Sequence, residues 1–195
     1  RAIRNLVASS TRNVGRYVVE PVEVVNKGNN VYFIDFGRAI VGGIQLTVQG
    51  TDGHKLEIRL GEELAGAETV KHNLRTGNHY QDVWTLKSGL QTLEHWGFRV
   101  FRYAEVINSP VALDKTNIKA VVLRYPFDDT ASDFQCSNSV LNDVWELCKY
   151  SIKATSLDVY VDTFTRERLP YEGDAYINQL SHYSVDREFA LPRYS

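Results

Sequence analysis

Between Val161 and Ala175 the sequence reads VDTFTRERLPYEGDA, which places Asp162, Glu167, Glu172 and Asp174 within thirteen positions, with Arg166 and Arg168 among them. Like charges this close are uncomfortable unless arginine or a ligand compensates them. The two arginines can do part of that. Carboxylates of unequal environment beside an aromatic wall at Tyr171 are what acid–base hydrolysis of a glycosidic bond requires. One carboxyl must stay protonated to serve the leaving oxygen, while others hold hydroxyl groups or activate water. A solvated, salt-bridged connection between helices would use the same residue types, and the charges alone leave both readings open.

The elements around the loop have helical spacing. Downstream, DAYINQLSHYSVD repeats an apolar period through Tyr176, Ile177, Leu180 and Tyr183. Upstream, Ser137 and Asn138 suit a helix cap, and Val140, Val144, Leu147 and Cys148 follow, with Leu141, Trp145 and Ile152 beside them. The spacing predicts an amphipathic helix of about four turns. The β-branched and aromatic residues of ATSLDVY predict a short extended segment leading into the loop. Two helices with wide apolar faces cannot bury them against one another alone, so this part reads as the opening of a larger helical domain.

Residues 31 to 123 follow a different period. In GIQLTVQG the apolar Ile44, Leu46 and Val48 alternate with polar residues, and after the turn GTDG so do Leu56, Ile58 and Leu60. The two runs predict a hairpin with one wet face. VYFIDF, DVWTL, RVFRYAEVI and NIKAVVL are further strand candidates, bounded by short turn signals. An antiparallel, jelly-roll-like β-sandwich follows. Tyr32, Phe33, Phe36, Trp84, Trp96, Phe98, Phe101 and Tyr103 could stack on sugars, but aromatic residues on strands read first as core.

Composition narrows the partners. The 195 residues carry a formal net charge of -2 with scattered Lys and Arg, so neither nucleic acid nor a membrane surface is expected as a partner. No apolar run approaches the roughly 20 residues of a membrane-spanning helix. Cys136 and Cys148 match no metal or redox spacing, and the five dispersed histidines suit surface or hydrogen-bonded structural roles. No metal site and no cofactor is expected. The chain begins at Arg1 and contains no methionine, so its start is not expected to be the native one, and cytoplasmic and extracytoplasmic locations both stay open.

The run Asp162, Arg166-Glu167-Arg168, Tyr171, Gly173-Asp174-Ala175 resembles the catalytic motif of the bacterial inverting α-L-rhamnosidases, Asp-Cys-Pro-x-Arg-(Asp)-Glu-Arg-x-Gly-Trp-x-Gly-Asp-Ala. DFGRAIVGGIQLTVQG, HWGFRVFRYAEV and DFQCSNSVLNDVWELCKYS are similar, in that order, to stretches of the same family's β-sandwich and helical domains. The resemblance implies that Glu167 is the general acid, that Asp162 and Asp174 hold rhamnose hydroxyls, that Tyr171 stands against the sugar ring, and that Arg166 orients the acid or binds a hydroxyl. It gives Glu172 no role beyond the surface. There are departures: Thr163 and Phe164 replace Cys-Pro, Leu169-Pro170-Tyr171 replaces x-Gly-Trp, and four residues instead of five separate Asp162 from Glu167.

The domain organisation implied is a connecting segment over 1–30, the β-sandwich over 31–125, a linker over 126–136, and over 137–195 the first helices of an (α/α)₆ catalytic barrel. The family's general base lies farther along the barrel, so the chain is expected to be a fragment whose partner is the remainder of its own barrel. The substrate implied is a rhamnose-containing glycoside. Two rivals stay open: another (α/α)₆-barrel glycosidase, and a carbohydrate-binding module in which the loop is inert.

Overall fold

In the computed structural model, residues 12–195 are described; residues 1–11 of the expected connecting segment lie outside them. Among these described residues ten strands come first, then three helices, in two compact units.

The first unit, Arg16–Leu123, is an antiparallel β-sandwich. Its spine is β3 (Val31–Gly50), which pairs with β2 (Glu23–Gly28) and β9 (Arg99–Ile107) through its first part, and with β10 (Ile118–Arg124) and β8 (Gly89–Glu94) through its second. The register with β9 shifts between Asp35 and Ile40, where Gly37 takes the left-handed φ of 79° that a side chain would strain. β1 (Gly15–Val19) flanks β10, and β4 (Lys55–Gly61) lies between β9 and β7 (Gln81–Thr85). A short ribbon, β5 (Leu64–Gly66) and β6 (Thr69–Val70), stands apart from that order.

β1 and β2 fall in the stretch expected as a connecting segment, and β8 matches no strand candidate. The expected hairpin is corrected as well. Ile44, Leu46, Val48, Leu56, Ile58 and Leu60 are all buried in one core, as their alternation predicts, but β3 and β4 do not pair. Leu86 N–H donates to His54 O and Gly53 N–H to Leu86 O, so the turn delivers β4 to β7. Alternation fixes which face of a strand is buried and leaves its neighbour open. The two apolar rows turn into the same core, while β9 lies between β3 and β4 in the sheet order.

Tyr32, Phe33, Phe36 and Phe101 are buried core, and Trp84 packs against it. Trp96 departs from the core reading: it is 96% exposed, in the turn between β8 and β9. Next to it His95 is buried, its Nδ1 accepting from Ile44 N–H at 3.0 Å and its Nε2 3.2 Å from Asp82 Oδ2.

The second unit comprises Arg124–Ser195 and the described residues up to Gly15. Arg12 N–H donates to Tyr125 Oη at 3.0 Å. The stretch expected as a linker has no regular structure but is tied down: Lys149 Nζ donates to Asp129 O and Ser132 O, and Ser132 Oγ donates to Val185 O. Helix α1 (Ser139–Ala154) is capped by Asn138, whose Oδ1 accepts from Val140 N–H at 3.0 Å. Extended chain bridged at Ser156 and Tyr160 leads to the carboxylate loop; α2 (Glu172–Val185) and the short α3 (Ala190–Tyr194) follow. Tyr125, Ile152, Tyr160, Ala175, Val185 and Leu191 form this unit's core.

Candidate active site

The carboxylate loop is held by its own first residue. Asp162 N–H donates to Leu169 O at 3.2 Å, and Leu169 N–H returns a bond to Asp162 Oδ1 at 3.0 Å. These reciprocal bonds staple the two ends together. Within the staple Arg168 N–H reaches Thr163 O at 3.0 Å, which needs Arg168 in the left-handed region at φ 60°. Its guanidinium donates to Phe164 O at 2.8 Å, and the Phe164 ring is buried as the loop's anchor. Leu169 and Pro170 carry the chain to Tyr171, the cap position of α2, where Ala175 N–H donates to Tyr171 O. Asp174 lies in the first turn of α2, where the helix dipole favours a carboxylate. Buried Ala175 beside it fixes which way that turn faces.

Asp162, Thr163, Arg166, Glu167, Tyr171 and Asp174 together line an open pocket of about 410 Å³. All five residues to which the resemblance gives a role are therefore brought together. Thr163 is a lining residue that the sequence reading missed; it stands at a departure from the family motif, where the motif gave no role to carry over. Arg168 and Glu172 do not line the pocket.

The charges in it are unequally placed. Arg166 Nη2 lies 2.9 Å from Glu167 Oε1 at the solvent side, with 65% of the Arg166 side chain exposed. Burial opposes ionisation of Asp162, but hydrogen bonds from the Glu167 side chain and from the N–H groups of Thr163 and Leu169 outweigh it and hold its carboxyl below the usual aspartate range. The pocket thus combines the carboxyl groups of Asp162, Glu167 and Asp174 with a cation and an aromatic face. Such a set can hold a polyhydroxylated ring and offer it a proton.

Two family models cover the chain in sequence. Residues 25–124 match the concanavalin-like domain of bacterial α-L-rhamnosidases, and residues 129–193 match their 6-hairpin glycosidase domain. The chain belongs to the bacterial α-L-rhamnosidase family. An α-L-rhamnosidase from Streptomyces avermitilis is 31% identical over 148 residues, which are 74% of this chain and 14% of that protein. The solved structure of a Streptomyces avermitilis α-L-rhamnosidase complexed with L-rhamnose is similar over 89% of this chain and 17% of that one, with 26% identity and a TM-score of 0.75. The α-L-rhamnosidase structure from Dictyoglumus thermophilum shares the fold at a TM-score of 0.85 and 20% identity, over 95% of this chain and 21% of that one. The chain spans 14% to 17% of the length of the curated rhamnosidases it matches. Its carboxylate pocket lies wholly within the segment matched to the rhamnosidase glycosidase domain.

Proposed function

We propose that this chain supplies the β-sandwich and the first part of the catalytic domain of a glycoside hydrolase that removes terminal α-L-rhamnose with inversion at the anomeric carbon. One observation carries the reading: Asp162, Arg166, Glu167, Tyr171 and Asp174 line one pocket inside the segment matched to the rhamnosidase glycosidase domain. L-rhamnose, the sugar in the Streptomyces avermitilis complex, suits a pocket of acceptors and one aromatic face. In this reading Glu167 protonates the departing glycosidic oxygen. Asp162 and Asp174 accept hydrogen bonds from ring hydroxyls, Tyr171 lies against the ring, and Arg166 orients Glu167.

Inversion needs a second carboxylate, about 6.5 to 9.5 Å from the acid across the sugar, to activate water. We assign that base, and the rest of the barrel that frames it, to the length of the relatives that this chain does not span. The sandwich serves as scaffold. The test is proton NMR of the full-length enzyme acting on an aryl α-L-rhamnoside within a panel of aryl glycosides. Release of β-L-rhamnose as the first product is expected; first release of the α-anomer, or cleavage of a different glycoside in preference, overturns the reading.

A further inference from the structure

Between the entrance of the carboxylate loop and α2 lies a polar contact that the proposed chemistry does not use. Tyr160 and His182 are both buried, and Tyr160 Oη lies 2.6 Å from His182 Nδ1. Burial raises the Tyr160 phenol, and burial also lowers the His182 imidazole against the opposing pull of Asp186 and Glu188. Both groups are thus neutral near neutral pH, and the phenol donates to the ring nitrogen. The imidazole is further held by Phe127, at 4.6 Å between ring centroids, and by the edge-on rings of Tyr125 and Tyr160. Its Nε2 points toward Asp186 Oδ2 at 4.0 Å.

The positions of the two residues give this bond its consequence. Tyr160 stands two residues before Asp162, at the chain's entrance to the carboxylate loop, and its N–H donates to Ser195 Oγ at 3.2 Å. His182 stands in α2, eight residues after Asp174, roughly 12 Å along the axis at 1.5 Å per residue. The loop's exit runs directly into α2, and the Tyr160–His182 bond fastens its entrance to the same helix. The whole pocket-bearing segment is therefore closed at its base. The other core residues around this bond are mostly apolar, and apolar contacts alone would tolerate small rotations of α2; a directional hydrogen bond among them selects one rotation.

Resting on the proposed function, we propose that Tyr160 and His182 are positioning residues that set the spacing between Asp162 and Asp174, and hence the fit of the sugar. Neither touches the pocket. The test uses the full-length enzyme, with assays well below the melting temperature and folding checked by circular dichroism. Tyr160→Phe is expected to lower kcat/KM by on the order of 10- to 100-fold, the scale of a small misplacement of binding groups. The loss should be equal for rhamnosides with acidic and with poor leaving groups, and the dissociation constant of L-rhamnose should rise in step. His182→Asn, whose amide oxygen can accept where Nδ1 did, should retain most of the affinity that His182→Leu loses. A folded Tyr160→Phe enzyme with a lower Tm but unchanged kcat/KM and L-rhamnose affinity overturns the positioning role and leaves the contact as packing. An unsubstituted enzyme that neither binds L-rhamnose nor cleaves rhamnosides overturns the proposed function itself, and this shows before any substitution is made.

Discussion

Asp35 and Arg102 illustrate how the sandwich uses charge: Arg102 Nε and Nη2 donate to Asp35 Oδ1 and Oδ2, both at 2.9 Å. The Arg102 hydrogen bond holds the Asp35 carboxyl below its ordinary value of 3.8, assisted by Gly37 N–H and opposed by burial. Because the folded-state value is the lower one, the stabilisation is present above the unfolded value and is lost as pH falls through the folded one. Asp35→Asn should therefore cost about 1 to 2 kcal/mol at pH 7, toward the low end because Arg102 is partly solvated, and less at pH 2. Urea unfolding at the two pH values measures the difference. Asp35 had no signal in the sequence, whereas the pocket residues did, since hydrolysis needs a few particular residue types and here they are close neighbours in the chain. Tyr160 and His182 were invisible for the opposite reason: a buried bond across 22 positions leaves no spacing to read. Trp96 was misread because its residue type suits a core while its place is the tip of a turn.

Elements were legible where one period persisted. α1 begins at Ser139 behind the Asn138 cap, and α2 spans the second apolar run. Strand faces were legible too, but strand neighbours were not, because β3 and β4 find their partners among distant segments. What the pattern could not show is how closely those partners approach. A Cβ on Gly42 would lie 1.9 Å from Val121 O on β10, so Gly42→Ala must push the two strands apart. Its expected cost is at least about 2 kcal/mol. Gly66→Ala is the control, because nothing lies within 4 Å of its Cβ position. Equal urea midpoints for the two variants would refute the close packing of β3 on β10.

At the scale of the molecule, Val140, Leu141, Val144 and Leu147 on α1, and Tyr176, Ile177, Leu180 and Tyr183 on α2, are exposed. Contiguous apolar surface of this kind drives association in water. The isolated 195-residue chain should sediment as oligomers and bind an apolar dye, and Val144→Glu with Leu147→Glu should reduce both; a monodisperse, dye-silent monomer would contradict this. Of the two helices only α2 reaches the pocket, through Tyr171 and Asp174, and in the proposed function catalysis belongs to the intact enzyme. In the proposed mechanism, Glu167→Gln removes the proton donor and leaves Asp162 and Asp174 in place to hold the sugar. General-acid assistance is worth on the order of 10² to 10⁴ in rate, and a poor leaving group needs most of it. The deciding measurement is kcat/KM of full-length Glu167→Gln on two α-L-rhamnosides, one bearing an acidic phenol and one an alcohol. A loss of that order on the alcohol glycoside with a much smaller loss on the phenol is the expected result, and equal losses on both would remove Glu167 from the acid role.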